Sequence, residues 1–372
     1  MTSALPSHAS DEDWMRAAIA LGKQAQGRTA ENPPVGCIIL DKSGHVVGQG
    51  YTAIGGRPHA ETQALAMAGA LAKKGTAYVS LEPCAHSGKT PPCVDALIAA
   101  GISRCIIGVL DPDKRVDGAG IAKLKQAGIE VRENILLEHA QDVLAGFLTR
   151  INQNRPFISM KIAVSADGYI AAGQGQRTQI TGKMAQRFAH DMRSRHDAIL
   201  TGSGTAITDN PILTCRAPLA EADSPTRIIL DSQLRLPLDS QLVQSAGKIP
   251  LILVVSSKVH ADHKKPYLDK GAEFIVVDEP DKQLYLSRLF EILAGKGINT
   301  VMVEAGARLN TTVISQGLAD NIFVLQATVT LGEGAVSAVV GEDGQESQLK
   351  THYKKRSLQN LDSDVLVRWQ VK

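Results

Sequence analysis

The chain has 372 residues, a formal net charge of +2 and 44% hydrophobic residues. At about 100–200 residues per domain, this length predicts two domains with full-sized cores. The near-neutral charge excludes a global electrostatic drive toward nucleic acid or an anionic membrane, and leaves room for a few local cations that bind small phosphorylated ligands.

The opening stretch, MTSALPSHASDEDW, is polar and acidic, without the basic start and apolar run of a secretory signal. The most apolar segments, RCIIGVL and PLILVVSS, fall far short of the ~20 residues a membrane helix needs. A cytoplasmic protein is expected. Its five cysteines, Cys37, Cys84, Cys93, Cys105 and Cys215, are an odd number, which argues against a disulfide framework and permits metal binding.

Residues 13–26 carry apolar side chains at helical spacing until ENPPVG breaks the pattern. VGCIIL and HVVGQGYT flank DKSG and predict a hairpin. HAETQALAMAGALAKK reads as a helix ended by Gly75. TAYVSL reads as a strand, PPCVDALIAAGI as a helix with prolines at its start, RCIIGVLD as a strand, AGIAKLKQAG as a helix and IEVREN as a strand. A long helix, LEHAQDVLAGFLTRIN, follows. This alternation predicts a three-layer α/β domain over residues 1–151, with NQNRP at 152–156 as the linker. A second α/β domain, residues 152–372, opens on FISMKIAVS. It continues through DAILTG, TRIILD, PLILVVS, EFIVVD and NTVMVEAG, and turns antiparallel from NIFVLQATVTLG onward.

The chemistry of the first domain is concentrated in RPHAETQALAMA and LEPCAHSGKTPPC. Zinc takes four ligands from His nitrogen and Cys sulfur, and a catalytic zinc keeps one position for water. His59, Cys84 and Cys93 supply three ligands and leave that position open. Glu61 need not touch the metal and can move protons between the water and a leaving amine. Pro83 is expected to turn Cys84 to the head of a helix, where the dipole favours thiolate. The pattern matches the zinc nucleobase-deaminase signature, H-x-E followed by P-C-x-x-C, except that eight residues separate the two cysteines here. Each Cys alone would read as a small core residue, and Cys37 and Cys105, inside apolar strands, keep that reading. Cys215 is read as structural.

NPPVGC, HAET, LEPCAHSGKTPPC and DPDKRVDGAG together resemble the deaminase half of the RibD family of bifunctional riboflavin biosynthesis proteins. The resemblance implies a cytidine-deaminase-like three-layer αβα domain. By the same resemblance this domain would remove an amino group from 2,5-diamino-6-(5-phosphoribosylamino)pyrimidin-4-one. It also implies zinc on His59, Cys84 and Cys93, Glu61 as the catalytic proton carrier, and substrate contacts from Asn32, His86, Lys89 and Asp111. Lys89 in its Gly-Lys-Thr turn suits a phosphate, although the spacing is not that of a P-loop. Asp113 stands where the family more often has Asn.

In the second domain no G-x-G-x-x-G follows a strand; TGSGTA and VEAGARLN are the strand-to-helix turns suited to phosphate. The resemblance continues through KIAVSADGYIA, ITG, RSRHDAILTGSGTAITDNPILTCR, RIILDS and VEAGARLN. These imply a dihydrofolate-reductase-like α/β domain that uses NADPH to reduce the ribose of 5-amino-6-(5-phosphoribosylamino)uracil to a ribityl chain. Ala163, Gln179, Thr205, Asp209, Ser232 and the Gly306 turn would line the cofactor. Arg177, Arg193, Leu213, Arg216 and Glu304 would meet the substrate. Lys161 and Asp167 lie near the site without an assigned role. Arg177-Thr178-Gln179 replaces the family's usual Ser-x-Trp, and each arginine alone would read as a solvated surface charge. The expected partner is a small phosphoribosyl pyrimidine, with no nucleic acid and no membrane; a homo-oligomer is left open. A nucleic-acid deaminase is disfavoured by the missing basic, aromatic-laced stripe. A non-enzymatic second domain is the remaining alternative.

Overall fold

The computed structural model describes residues 9–86, 88, 91–176, 178–215, 224–278, 285–341 and 345–372. The chain divides into two compact units, Met1–Asn154 and Arg155–Lys372.

Unit 1 begins with helix α1 (Asp11–Lys23), whose N-terminus is closed by a reciprocal pair of hydrogen bonds between Ser10 and Asp13. Strands β1 (Gly36–Leu40) and β2 (Val46–Tyr51) form the expected antiparallel hairpin. Helix α2 (Ala60–Ala68) stops at Gly69, which has φ +52°, and a short 3-10 turn follows. The helix expected to run to Gly75 is thus cut six residues early, because Gly69 takes a conformation other residues resist. Strand β3 (Thr76–Leu81), helix α3 (Cys93–Ala99), strand β4 (Arg104–Val109), helix α4 (Ala119–Gln126), strand β5 (Glu130–Arg132) and helix α5 (Leu137–Gln153) complete the unit. Helix α5 therefore includes Asn152 and Gln153, the first two residues of the stretch read as linker. The sheet order is β2-β1-β3-β4-β5, with β3, β4 and β5 parallel.

One seam in this unit places α2. Ala60, Ala64 and Ala68, spaced four apart, are buried on one helix face. Opposite them, a Cβ on Gly48 would stand 2.1 Å from the Ala64 carbonyl oxygen, and one on Gly50 would stand 2.5 Å from that of Ala60. Helix and hairpin therefore touch backbone to backbone, which only residues this small allow.

Unit 2 is built on strands β6 (Phe157–Val164), β7 (Tyr169–Ala171), β8 (Ala198–Gly202), β9 (Thr226–Leu230), β10 (Leu251–Val255), β11 (Glu273–Val276), β12 (Thr300–Glu304), β13 (Asn321–Gln326), β14 (Val336–Ser337), β15 (Tyr353–Leu361) and β16 (Asp364–Val371). Its helices are α6 (Lys183–Ser194), α7 (Ser203–Asp209), α8 (Gln241–Gln244), α9 (Ala261–Leu268), α10 (Tyr285–Gly295), α11 (Ala307–Ser315) and α12 (Gln345–His352). The large sheet runs β11-β10-β9-β8-β12-β6-β13-β16-β15, and β7 pairs separately with β14. The first seven strands of that order are parallel, and only β16 and β15 join antiparallel. Strand β13 opens the antiparallel part, as expected, by pairing with β16, while on its other side it lies parallel to β6. Strands such as LILVV are buried along their whole length, as parallel strands covered on both faces must be.

Among the described residues, no helix is long and apolar enough to cross a membrane. Replacement Gly48→Ala is expected to destabilise unit 1 by about 1–3 kcal/mol, because the new methyl meets helix backbone that cannot swing aside. Urea unfolding followed by far-UV circular dichroism measures this; an unchanged first transition would show that α2 is not seated by this seam.

Candidate active sites

In unit 1, β3 leads into the loop that carries Cys84, and α2 and α3 each present their first turn to the same point. His59 is the residue immediately before α2, and Cys93 is the first residue of α3. Helix α3 opens at Cys93, as the prolines before it predict, and Cys84 lies at its head, its carbonyl accepting the Val94 N–H at 3.3 Å. The first backbone N–H of that helix, on Cys93, donates to Cys84 Sγ at 3.3 Å. His59 Nδ1 lies 3.7 Å from Cys84 Sγ and 3.3 Å from Cys93 Sγ. A tetrahedral ion with bonds of about 2.0 Å to nitrogen and about 2.3 Å to sulfur spans N···S separations of about 3.5 Å. The three donor atoms lie within 4.8 Å of one another, and His59 Nε2 is buried without a protein hydrogen-bond partner. The donor set therefore fits zinc, with Nδ1 facing the metal position.

The electrostatics follow from shared protons and burial. The hydrogen bond from the Cys93 side chain brings the Cys84 thiol down to about 4, with further help from His59. Cys93 is pushed well up by the same bond and by burial. Glu61, in the first turn of α2 and 4% exposed, is pushed up to about 7 by burial and then by Cys84. A carboxyl poised near neutrality is suited to exchanging protons. Cys37 and Cys105 are buried in β1 and β4, as read from sequence, and burial raises both thiols.

Asp111 follows β4 and is buried; burial pushes its carboxyl up to about 7. Its loop is held by a residue that sequence reasoning passed over. Glu82 is 2% exposed and accepts backbone N–H groups from Asp111 at 3.3 Å, Gly118 at 3.1 Å and Ile121 at 3.1 Å. The signal was an acid directly after the apolar strand TAYVSL and before Pro83-Cys84, where a buried carboxylate needs hydrogen-bond donors. Asn32 closes a turn with Thr29, and its Nδ2 packs over Gly56, three residues before His59. His86 Nδ1 is buried and has no hydrogen-bond partner among the described residues. Asp113 is engaged by Arg115, Nε to Oδ1 at 2.9 Å. Lys89 lies outside the described residues.

In unit 2 the carboxyl ends of β9, β8 and β12, together with β6, line a cleft of about 1590 Å³. Ligand pockets for one drug-sized molecule run to about 300–1,000 Å³, so this volume holds a dinucleotide and a second small molecule. Ala163, Gln179, Thr205, Asp209, Ser232 and Gly306 all line it, as do Arg193, Leu213 and Glu304. Arg177 and Arg216 lie outside the described residues. A Cβ on Gly202 or Gly204 would meet nothing within 4 Å, so the cleft wall there is bare backbone open to a closely approaching ligand. These features fit a dinucleotide cofactor.

Arg193 is not a solvated surface charge. Its Nε and Nη2 form a fork on Glu304 at 2.6 and 2.9 Å, both side chains being mostly buried. Lys161 Nζ stands 3.6 Å from the same carboxylate, a contact unassigned from sequence. Burial alone would raise Glu304, but Arg193 and then Lys161 outweigh it and hold the carboxyl down to about 2. Asp167 is not among the residues lining the cleft; it accepts N–H groups from Leu331 and Gly332 and so fastens the loop after β13.

Fold and donor sets define a two-part enzyme, a zinc-site α/β deaminase followed by a nucleotide-cleft α/β reductase. The comparisons agree. Residues 8–109 match the cytidine and deoxycytidylate deaminase zinc-binding region, and residues 156–367 match the RibD C-terminal domain. RibD of Aquifex aeolicus is 36% identical over 96% of this chain and 97% of its own length. RibD of Escherichia coli is 37% identical over 87% of this chain and 89% of its own. The crystal structure of Acinetobacter baumannii RibD superposes with a TM-score of 0.86 at 32% identity, covering 97% of this chain and 99% of that one. The Thermotoga maritima diaminohydroxyphosphoribosylaminopyrimidine deaminase/5-amino-6-(5-phosphoribosylamino)uracil reductase gives 0.84 at 30% identity, with the same coverages. The chain belongs to the RibD family: it is a bifunctional enzyme of riboflavin biosynthesis, with a deaminase part and a reductase part that use zinc and NADPH.

Glu304 sets a pH dependence. Its folded value, about 2, lies below the ordinary 4.5, so its stabilisation is complete above about pH 4.5 and is lost as pH falls toward 2. Glu304→Gln is expected to cost about 3 kcal/mol at pH 7, since it strands a buried guanidinium. The gap from the unsubstituted protein narrows below pH 4.5, as paired urea titrations across pH would record.

Proposed function

We propose that unit 1 hydrolytically deaminates 2,5-diamino-6-(5-phosphoribosylamino)pyrimidin-4-one and that unit 2 reduces the ribose of the product to ribityl, in the cytoplasm. The observation that carries the first half is the convergence of His59, Cys84 and Cys93 with a buried carboxyl, Glu61, two residues from the imidazole. His59 Nδ1 and the two sulfurs hold zinc, both thiols losing their protons as it binds. Zinc when bound supplies Lewis acidity at its open position. Glu61 accepts a proton from the attacking water and delivers it to the departing amine. Asn32, His86 and Asp111 orient the pyrimidine, and Lys89 meets the phosphate.

In the second half, NADPH supplies the hydride. Ala163, Gln179, Thr205, Asp209, Ser232 and the Gly306 turn hold it along the strand ends. Ionised Glu304 keeps Arg193 and Lys161 at the substrate end, near which Leu213 also lines the cleft, and the family resemblance assigns Arg177 and Arg216 to the substrate as well. The substrate is a small molecule, and neither nucleic acid nor membrane takes part.

The test is an assay with the diaminopyrimidine phosphoriboside that follows ammonia release and NADPH oxidation separately; ammonia without NADPH oxidation would confine the reading to unit 1. Glu61→Gln is expected to retain zinc and to lose about 10²–10⁴-fold in ammonia release, since the ligands stay and only the proton carrier goes. NADPH oxidation then stops with the diamino substrate and continues when deaminated substrate is supplied. Loss of zinc from Glu61→Gln, read by atomic absorption, would refute this division of labour.

A further inference from the structure

The cleft of unit 2 has two ends that differ in charge. At one, on β12 and β6, Arg193 and Lys161 are committed to Glu304. At the other, beyond β9, stands Arg235. In the sheet β9 is two strands from β12, about 10 Å at ~4.8 Å per strand. Arg235 follows Ser232 by three residues, and both line the cleft together with Ser203 and Gly204 at the end of β8.

The surroundings of Arg235 hold it without using it up. Its Nη2 donates to the neutral Ser203 Oγ at 2.8 Å. Its Nε lies 3.8 Å from Asp231 Oδ1, too far for a hydrogen bond and close enough for attraction. Asp231 is wholly buried beneath it, with Oδ2 accepting the Leu236 N–H at 2.8 Å, while the Arg235 side chain is 58% exposed. The acid anchors the arginine from below, and Ser203 sets its direction along the cleft. Of the five N–H donors of a guanidinium, one goes to Ser203 among the described residues and Nε is turned toward Asp231, while the side chain as a whole is 58% exposed.

We propose that Arg235 is the specificity-determining residue that selects the 2′-phosphorylated dinucleotide, NADPH, over NADH, with Ser203 and Ser232 as the neutral donors beside it. The two dinucleotides differ only in a phosphate on the adenosine ribose, so discrimination requires a cation placed there. An arginine fork matches phosphate oxygens in a bidentate way and is the residue that performs this task beside other dinucleotide sites. The bare backbone at Gly202 and Gly204 lets the ribose approach the end of β8. Arg308, the other exposed arginine lining the cleft among the described residues, sits in the first turn of α11 on the β12 side, next to the Gly306 turn. It is placed for the phosphates between the two nucleosides. The proposal rests on the cofactor cleft described above.

Direct binding measures it on the full chain, by fluorescence titration with NADPH and with NADH. Arg235→Gln is expected to raise the NADPH Kd about 10- to 100-fold, the loss of a charge-assisted contact, and to leave the NADH Kd within about 2-fold. 2′-AMP competes with NADPH in the unsubstituted protein and loses that ability in the variant. Arg235→Lys keeps the charge without the fork and falls between; it serves as the second variant if the glutamine protein does not fold. An equal weakening of both dinucleotides, or an unchanged NADPH-to-NADH ratio, overturns the assignment, as does a ratio that collapses in Arg308→Gln instead. Failure of the unsubstituted chain to bind either dinucleotide would overturn the cofactor cleft itself, and the assignment with it.

Discussion

Helix α2 lies directly on the β1–β2 hairpin, backbone against backbone, and the zinc site depends on that contact. The Ala60–Ala64–Ala68 face and the glycines at 48 and 50 leave no side chain between helix and strand. The helix start is thereby fixed to within the tolerance of close packing, and His59 and Glu61 sit at that start. Packed interiors are nearly incompressible, so even one added methyl must displace backbone. With α2 seated, the imidazole faces the two sulfurs that arrive from the loop after β3 and from the head of α3.

The two units solve one problem in the same way. Each gathers polar groups at the carboxyl ends of parallel strands, where loops and helix starts converge and the sheet below is rigid. Buried acids then hold the loops. Glu82 gathers three backbone N–H groups from the segment that carries Asp111, and Asp231 anchors the loop after β9. Each acid thereby fixes the backbone path of a loop at the strand ends.

Charge is used differently in the two sites. In unit 1 burial lifts Glu61 toward neutrality, which suits a group that must take and return a proton. In unit 2 opposite charges overcome burial and keep Glu304 ionised, which suits a group that holds cations in place. The same residue type is thus tuned in opposite directions by what lies within a few ångströms.

Much of this was legible from residue order. His-Ala-Glu before a helix, Glu-Pro-Cys after a strand and a second Cys at a helix start declare their chemistry locally, because zinc ligands must be of these types. Strand and helix order followed from hydrophobic period and turn residues. The early end of α2 did not, since Ala-Leu patterning continues past Gly69 and only the backbone conformation stops the helix. The pairing of β13 with β6 was hidden too, because a strand's direction relative to its neighbour depends on the path of the chain between them. The sequence by itself determined the three residues that could hold a metal, the acid beside them and the alternation of strands and helices, since these rest on residue type and local spacing. Only the tertiary structure decided that Arg193 is buried on Glu304, that Glu82 ties down the Asp111 loop and that Arg235 leans on Ser203. Those contacts join residues 111, 29 and 32 positions apart, and their energy depends on burial that a one-dimensional pattern does not encode.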